Sequence, residues 1–326
     1  MDSTNRLPLL LLTATALLYA PLAQSQVDTY PNKPIRLVVP APAGGPSDTI
    51  ARVIGKQLSQ DWGQAIVVEN RAGANSIIAN ELVARATPDG YTLLVTVDYS
   101  MTVNPHTYKS LPYNPSKDFA HISTIANAVC VVAVNATLPV ASFQDFVKYA
   151  STQARGVSVG VGTVTTELIT ERLATLSGLK FVKVPYKGSA EVAPALLGGH
   201  IDAAVAGLTP FREHVGKGGR IRVLASTGTT RSSVIPDVPT LEELGLQGFQ
   251  MGVWMGLSAP AGTPPAIVKK LSDGINQTLA RPDVKEQFLK MGLDPMPGGP
   301  TAMTELIRQE SDRWGRIVRE KGIRAE

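Results

Sequence analysis

The sequence of 326 residues contains one cysteine and four histidines. A single thiol, Cys130, excludes an internal disulfide framework, cysteine-based zinc sites and paired-thiol redox chemistry. The histidines show none of the spacings typical of a metal site on a helix. Cys130 lies in the apolar run 129–134, which predicts a small buried side chain. The sequence therefore predicts neither a metal nor another cofactor.

Neither sign of charge is in large excess. The chain has 31 lysines and arginines and 27 aspartates and glutamates, which gives a net charge of +4. Nucleic-acid surfaces need concentrated positive charge, so a nucleic-acid partner is not favoured. Hydrophobic residues make up 44% of the chain, enough for a sizeable core, and the length favours two domains. Nothing in the pattern predicts a coiled coil or a sheet-edge interface, so we expect a monomer.

The longest apolar run lies at the N-terminus. Residues 7–20 follow Arg6 and precede the small residues Ala23 and Ser25. This run is about 14 residues long, shorter than the roughly 20 that a membrane-spanning helix needs. Residues 1–25 are therefore predicted to be a cleaved signal peptide, and the mature chain is expected in the periplasm.

The rest of the chain alternates β-branched runs with segments of helical period. The runs predicted as strands are 35–39, 65–69, 91–97, 129–134, 157–161, 181–184, 201–205 and 221–225. Helices are expected between them, including one capped at Ser142 and one that begins at Thr240 and ends at Gly245. This alternation predicts an α/β fold of parallel sheets with right-handed crossovers.

Two turns from a strand into a helix carry glycine, one in each half of the chain. The first consists of Ala41, Pro42, Ala43, Gly44, Gly45, Pro46, Ser47 and Asp48. The second consists of Gly162, Thr163, Val164, Thr165 and Thr166. Glycine lets the backbone approach a ligand, and the amides at a helix start bind anions without a basic side chain. Ordinary strand-to-helix turns remain the alternative for both.

The roles of several side chains near these turns stay open. The threonines of the second turn could cap the helix or donate to a carboxylate, and we expect valine at Thr165 and Thr166 to weaken binding without unfolding. Asp48 could favour the helix dipole or contact the ligand. Asn75 could cap a third helix or contact the ligand, and Tyr186 could wall a pocket or pack in the core.

An enzyme is the least favoured class. The sequence has no GxSxG motif and no recognisable Ser/His/Asp arrangement. An exported hydrolase that used the threonine-rich turn would need a base beside it, and only Glu167 is available there. We therefore expect a binding protein rather than a catalyst.

Eight segments in the same order resemble the Bug receptors, the periplasmic solute-binding proteins of the tripartite tricarboxylate transporter family. They are YPNKPIRLVVPAPAGGPSD, VVENRAGANS, ATPDGYTLL, SLPYNPSKDF, VPYKGSAEVAPALLGGHID, DVPTLEELG, LSAPAGTPP and DRWGRIVREKGI. The resemblance runs over residues 30–325. It implies a two-lobed Venus-flytrap fold of type II, with two crossing strands between the lobes. Lobe 1 would be residues 26–125 plus 227–326, and lobe 2 residues 126–226.

The resemblance also implies a function. The protein would bind a small carboxylate through loop amides and ordered waters, and deliver it to the membrane permease subunits of the transporter without catalysis. The two glycine-bearing turns would be the binding loops. The further ligand contacts would fall on Asn75, Thr96, Asp98, Tyr186, Ala206 and Gly207. A receptor that senses its ligand for a signalling partner remains the alternative.

Four positions depart from the family pattern, the first being Asn75, which replaces a glycine common in the third loop. Ala41 replaces a common aromatic residue, and Ala206 replaces an acid found in many members. The missing acid disfavours aspartate and glutamate as ligands and leaves room for a bulkier or less polar acid. Glu167 replaces a histidine near the second turn, where it either points away or indicates a cationic or zwitterionic ligand.

Overall fold

The computed structural model describes residues 29–322, except 217, 229, 248 and 250. The predicted signal peptide lies outside these residues. The described strands are β1 (Ile35–Val39), β2 (Ile66–Asn70), β3 (Thr92–Val97), β4 (Phe119–Ala128), β5 (Cys130–Asn135), β6 (Val157–Val161), β7 (Phe181–Pro185), β8 (Ala203–Gly207), β9 (Ile221–Ser226), β10 (Val253–Pro260) and β11 (Leu293–Pro295).

Helices connect most of these strands. They are α1 (Pro46–Trp62), α2 (Ile77–Ala84), α3 (Asp98–Thr102), α4 (Asn104–Thr107), α5 (Phe143–Thr152), α6 (Val164–Ser177), α7 (Ser189–Leu197), α8 (Pro265–Ala280), α9 (Pro282–Lys290) and α10 (Pro300–Lys321). The cap at Ser142 is confirmed, since its hydroxyl accepts from the Asp145 amide over 3.1 Å. No helix within the described part of the chain is both long and apolar enough to cross a membrane.

The strands form two separate sheets. The first has the order β11-β4-β10-β3-β1-β2, and the second has the order β7-β6-β8-β5-β9. Parallel pairs join β1 to β2 and β3, and join β6 to β7 and β8. Strands β10 and β5 run antiparallel to both of their neighbours. The predicted α/β class and the two-lobed arrangement are confirmed.

The chain passes between the sheets twice. Only Val129 separates β4 of the first sheet from β5 of the second. The return runs from the end of β9 to the start of β10, where Val253 pairs with Ala128. These crossings fall near the predicted limits of lobe 2, whose exact boundaries stay a prediction.

Eight strands match the predicted runs, and three were missed for identifiable reasons. Small polar residues interrupt β4, and β11 has only three residues. Strand β10 contains Gly256, where a Cβ atom would lie 2.8 Å from the backbone oxygen of Ser123. That close approach of backbones explains a glycine inside a buried strand.

The helix predicted from Thr240 to Gly245 is wrong. The segment forms turns, although the capping bonds that suggested a helix are present between Thr240 and Glu243. Thr240 instead forms a parallel bridge to Ser226 at the end of β9. Such a helix would have little more than one turn, and short helices depend on tertiary packing for their stability.

Both faces of each sheet carry hydrophobic cores, and the last helix contributes to both sheets. Met303 and Ile307 of α10 lie in a core with residues of β1, β3 and β10. Further along the same helix, Trp314 and Ile317 lie in a core with residues of β5, β6 and β8. Helix α10 therefore packs against both halves of the molecule.

Candidate functional site

The carboxyl ends of the parallel strands lie beside the crossing segments in both sheets. Strands β3 and β4 run in the same direction, because both are antiparallel to β10. In the second sheet β8 ends at Gly207, which pairs with Cys130 at the start of β5. Since one residue separates β4 from β5, the edges that hold the two glycine-bearing turns adjoin each other. Ligands of open α/β sheets bind at such carboxyl edges.

The Asp48 side chain stabilises the first turn through hydrogen bonds. Its buried carboxylate accepts from the Gly44 amide over 2.9 Å and from Arg52 Nε over 3.0 Å. The hydrogen bond from Arg52 is the main cause that lowers the pKa of Asp48 to about 2, and the Gly44 amide lowers it further. The Asp48 carboxylate is therefore ionised at neutral pH and engaged within the protein.

Asn70 holds the same turn and was missed by sequence reasoning. Its Nδ2 atom donates to the Ala41 carbonyl and to Asp48 Oδ1, both over 3.0 Å. Asn70 is the last residue of β2, the strand beside β1, so it lies at the same sheet edge. Its position directly after an apolar run was the signal available in the sequence.

The start of α1 has backbone N–H groups that are free to donate hydrogen bonds to a ligand. Gly44 adopts a left-handed φ of +83°, and Gly45 occupies the N-cap position without a side chain to cap the helix. Among the described residues, none accepts from the backbone N–H groups of Ser47 and Asp48. These two orphan amides sit at the positive end of the helix dipole, which suits an anion.

The second turn is a capping box made by two threonines. Thr163 Oγ1 accepts from the Thr166 amide over 3.2 Å, while Thr166 Oγ1 accepts from the amides of Gly162 at 3.1 Å and Thr163 at 3.0 Å. The Thr166 hydroxyl therefore supports the fold. We therefore expect valine at Thr166 to cost some stability, because it would leave two amides without an acceptor, while the expected effect on binding stays a prediction.

Thr165 and the adjoining amides remain without partners. The Thr165 side chain is buried, and its Oγ1 has no hydrogen-bond partner in the described structure. The backbone N–H groups of Val164 and Thr165 likewise find no acceptor among the described residues. The start of α6 thus matches the start of α1 in having two orphan amides.

Asn75 lies in a strained segment next to the first turn. Ala74, Asn75 and Ser76 adopt positive φ values of 46°, 49° and 71°. The Asn75 side chain donates to the Tyr108 hydroxyl over 2.6 Å, and Ser76 is the N-cap residue of α2. The interpretation of Asn75 as a helix cap is therefore wrong. Consecutive left-handed residues of this kind cluster at functional sites.

Three predicted contact residues are completely buried. Thr96, Asp98 and Ala206 have no exposed surface, and the Thr96 hydroxyl bonds to that of Ser258 over 2.7 Å. This conformation offers a ligand none of their atoms. Neither carboxylate oxygen of Asp98 has a well-formed hydrogen bond to a described residue. Burial raises the pKa of Asp98 well above its usual range, and the Glu310 carboxylate raises it further.

Tyr186 and Gly207 line the edge of the second sheet. Tyr186 is half-buried against the core of that sheet, and its amide donates to the Val161 carbonyl over 2.8 Å. A Cβ atom added at Gly207 would meet nothing within 4 Å. There is open space next to Gly207 at the end of β8.

Glu167 is paired inside its own half of the molecule. Lys183 Nζ lies 2.6 Å from Glu167 Oε1 and 2.7 Å from Glu171 Oε1. The carboxylate is thus compensated by Lys183. Its presence beside the second turn does not require a cationic ligand.

Two cavities in the described part of the chain lie apart from the two turns. One of about 1080 Å³ lies between β4, α8 and α10, and one of about 500 Å³ lies beside the crossing segments. Neither is lined by the first or the second turn. Within the described residues, no group of three or more His, Cys, Asp or Glu side chains is placed to hold a metal ion.

Two α/β sheets joined by two crossings, with helix starts at adjoining edges, define a two-lobed periplasmic-binding-protein fold. The chain belongs to the tripartite tricarboxylate transporter family of receptors, whose family model matches residues 50–323. The resemblance to the Bug receptors is confirmed. The family consists of solute-binding receptors, so the role of this chain is solute binding.

Relatives with known names and structures cover nearly the whole chain. Protein BugT of Bordetella pertussis is 33% identical over 95% of this chain and 95% of its own. The structure of Rpa4515 of R. palustris with adipate is 32% identical, with a TM-score of 0.79 over 90% of this chain and 99% of that one. MatC of Rhodopseudomonas palustris with bound malate is 29% identical, with a TM-score of 0.72 over 89% and 100%.

Proposed function

We propose that this protein captures a small organic carboxylate between its two lobes and delivers it to the membrane subunits of a tripartite tricarboxylate transporter. The observation that carries the proposal is the pair of helix starts, α1 and α6, at adjoining sheet edges. Each presents two amides that no described residue accepts from. A carboxylate has two oxygens and four lone-pair sites, so it can accept from both helix starts.

The electrostatics of the two turns support an anionic ligand. Asp48 is the nearest acid of the first turn, and Arg52, Gly44 and Asn70 all donate to it. Glu167 beside the second turn is compensated by Lys183. Both acids are therefore neutralised locally, and the positive ends of two helix dipoles remain to attract a carboxylate.

The bound solutes of two relatives support the same chemistry. Adipate and malate, which occupy the structures of Rpa4515 and MatC, are both dicarboxylates. A dicarboxylate could place one carboxylate at each helix start. Ligand binding would then favour the closed arrangement of the lobes, because only that arrangement lets one molecule contact both.

The remaining parts of the proposal concern location and partners. We place the mature chain in the periplasm after removal of residues 1–25, as a monomer, with lobe 1 formed by residues 26–125 and 227–326. The periplasmic setting agrees with that of the relatives. The binding residues are those of the two turns together with Asn75, Tyr186 and Gly207, while Thr96, Asp98 and Ala206 would need a rearrangement to become accessible.

The test is a thermal-shift and calorimetric screen of residues 26–326 with adipate, malate, tricarboxylates, acidic amino acids and aromatic acids. A ligand at 100 times its dissociation constant should add about 2.7 kcal/mol to the free energy of unfolding. Binding of a carboxylate that is lost in a variant of either turn supports the proposal. If no acid binds, or if binding survives changes at both helix starts, the proposal fails.

A further inference from the structure

A small basic notch lies between α6 and α10, apart from the proposed solute site. Its lining residues are Arg172, Arg313, Arg316, Ile317 and Glu320, and its volume is about 260 Å³. Three arginines and one glutamate give the notch a net positive charge. Arg172 follows the start of α6 by eight residues, which is about 12 Å along the helix axis.

Two arginines of the notch have side chains without a bonded partner among the described residues. The guanidinium groups of Arg172 and Arg316 form no hydrogen bond or ion pair with any residue that the structure describes, whereas those of Arg36 and Arg308 are paired with carboxylates. Glu320 also lines the notch and forms no ion pair with a described residue. Cations that share one cavity repel each other unless an anion joins them.

The two helices hold these arginines in place. Leu173, next to Arg172 on α6, and Ile317, next to Arg316 on α10, lie in the same hydrophobic core. Trp314 of α10 is buried in that core as well. The backbone positions of the arginines are therefore fixed by packing, which lowers the entropy lost when they bind an anion.

We propose that the basic notch is a docking site for an acidic segment of a partner protein, which inserts a carboxylate side chain between Arg172 and Arg316. Guanidinium groups bind carboxylates in a bidentate manner, and the notch offers two of them. Its volume is below the roughly 300 to 1,000 Å³ of pockets that enclose a whole small molecule. A side chain presented by a protein segment fits this size better than a free solute.

The probe is a synthetic peptide of alternating glutamate and glycine, titrated against the full mature chain at low ionic strength. We expect binding to the native chain and at least a tenfold weaker affinity, about 1.4 kcal/mol, in the double variant R172A/R316A. The double variant R172K/R316K keeps the charge but loses the bidentate geometry, so its affinity should lie between the two.

The matched control is the double variant R155A/R220A, which removes two other exposed arginines that form no side-chain hydrogen bond or ion pair with a described residue. Its affinity for the peptide should stay within about twofold of the native value. Equal losses in both double variants, no binding to the native chain, or acetate that competes as well as the peptide at equal carboxylate concentration would overturn the proposal. Carboxylate binding by R172A/R316A, measured separately, reports on the solute site alone.

Discussion

The Nδ2 atom of Asn70 donates to the Oδ1 atom of Asp48 over 3.0 Å, and this bond joins the end of β2 to the first turn of α1. The same Nδ2 atom reaches the Ala41 carbonyl at the other end of the turn. One amide group thus fixes both ends of a loop that is otherwise exposed from Pro42 to Gly44. The shape of the first turn depends on a residue outside it.

Replacing Asn70 with alanine should loosen the first turn. Two hydrogen bonds disappear, so we expect a loss of about 2 kcal/mol in the free energy of unfolding. Carboxylate affinity should fall by about tenfold, since the orphan amides are no longer held in place. Asn135→Ala is the control, because Asn135 makes similar bonds to carbonyls of α7 at the opposite edge of the second sheet. Equal affinity losses in both variants would contradict the assignment.

Gly207 should tolerate a side chain in the fold but not in the ligand complex. Its backbone is not left-handed and the space around it is open, so Gly207→Val should leave the melting temperature nearly unchanged. The new methyl groups would occupy the space next to the carboxyl end of β8. Affinity should fall by at least about tenfold, with a smaller loss for Gly207→Ala.

The control for Gly207 is Gly299→Val, which also adds a side chain into open space, at the start of α10. This variant should bind carboxylates normally in a calorimetric titration. Undiminished affinity in Gly207→Val would remove Gly207 and the end of β8 from the proposed site.

Valine substitutions at the two buried threonines of the second turn should distinguish a hydroxyl that stabilises the fold from one that is available to the ligand. Thr166→Val leaves the amides of Gly162 and Thr163 without an acceptor, so we expect a loss of about 1 to 3 kcal/mol in chemical denaturation. Thr165→Val removes a hydroxyl that has no partner, so its stability should be equal or higher. Weaker carboxylate binding in Thr165→Val would make this hydroxyl a ligand donor, and unchanged binding would limit the second turn to its amides.

Glu310 should make the protein less stable as the pH rises. Burial raises the pKa of Glu310 to about 7, while the Trp254 Nε1–H group, 2.7 Å away, and Arg313 lower it in part. Between the unfolded pKa, about 4.3, and this folded value, the unfolded chain releases the proton first. The Glu310 contribution to the free energy of unfolding should therefore fall over this range, by on the order of 3 kcal/mol. Burial lowers the pKa of His121 to about 4, so His121 gives a contribution of the opposite sign below about pH 6.5.

The test is urea denaturation between pH 4.5 and pH 8 of the native chain and of Glu310→Gln, which retains an acceptor for Trp254. The stability of the native chain relative to the variant should fall by on the order of 3 kcal/mol across this range, because the His121 contribution is common to both proteins. The buried Asp98, whose pKa is also raised, should supply a residual slope of the same sign. A stability difference between the native chain and Glu310→Gln that does not change with pH would contradict the burial of a protonated Glu310.

Sequence patterns predicted the parallel strands and the two turns because those features depend on local chemistry. The β-branched runs that became β1 and β6, and the capping residues Ser142 and Thr163, act within a few positions of themselves. Strand β10 and the hydrogen bonds from Asn70 to the first turn depend instead on contacts between distant segments. Gly256, for example, is explained only by the neighbouring Ser123 and Met303. Such pairings leave no periodic signal in one sequence.

The position of α10 at the end of the chain has a consequence for the order of folding. Every strand of the second sheet precedes residue 227, yet Trp314 and Ile317 belong to its core. Chains emerge from the ribosome N-terminus first, and domains usually fold as units when they are complete. We therefore expect the second sheet to remain incompletely packed until nearly the whole chain has been made. In the export that we propose for this chain, the late completion of this core would favour a chain that is still unfolded when it crosses the membrane.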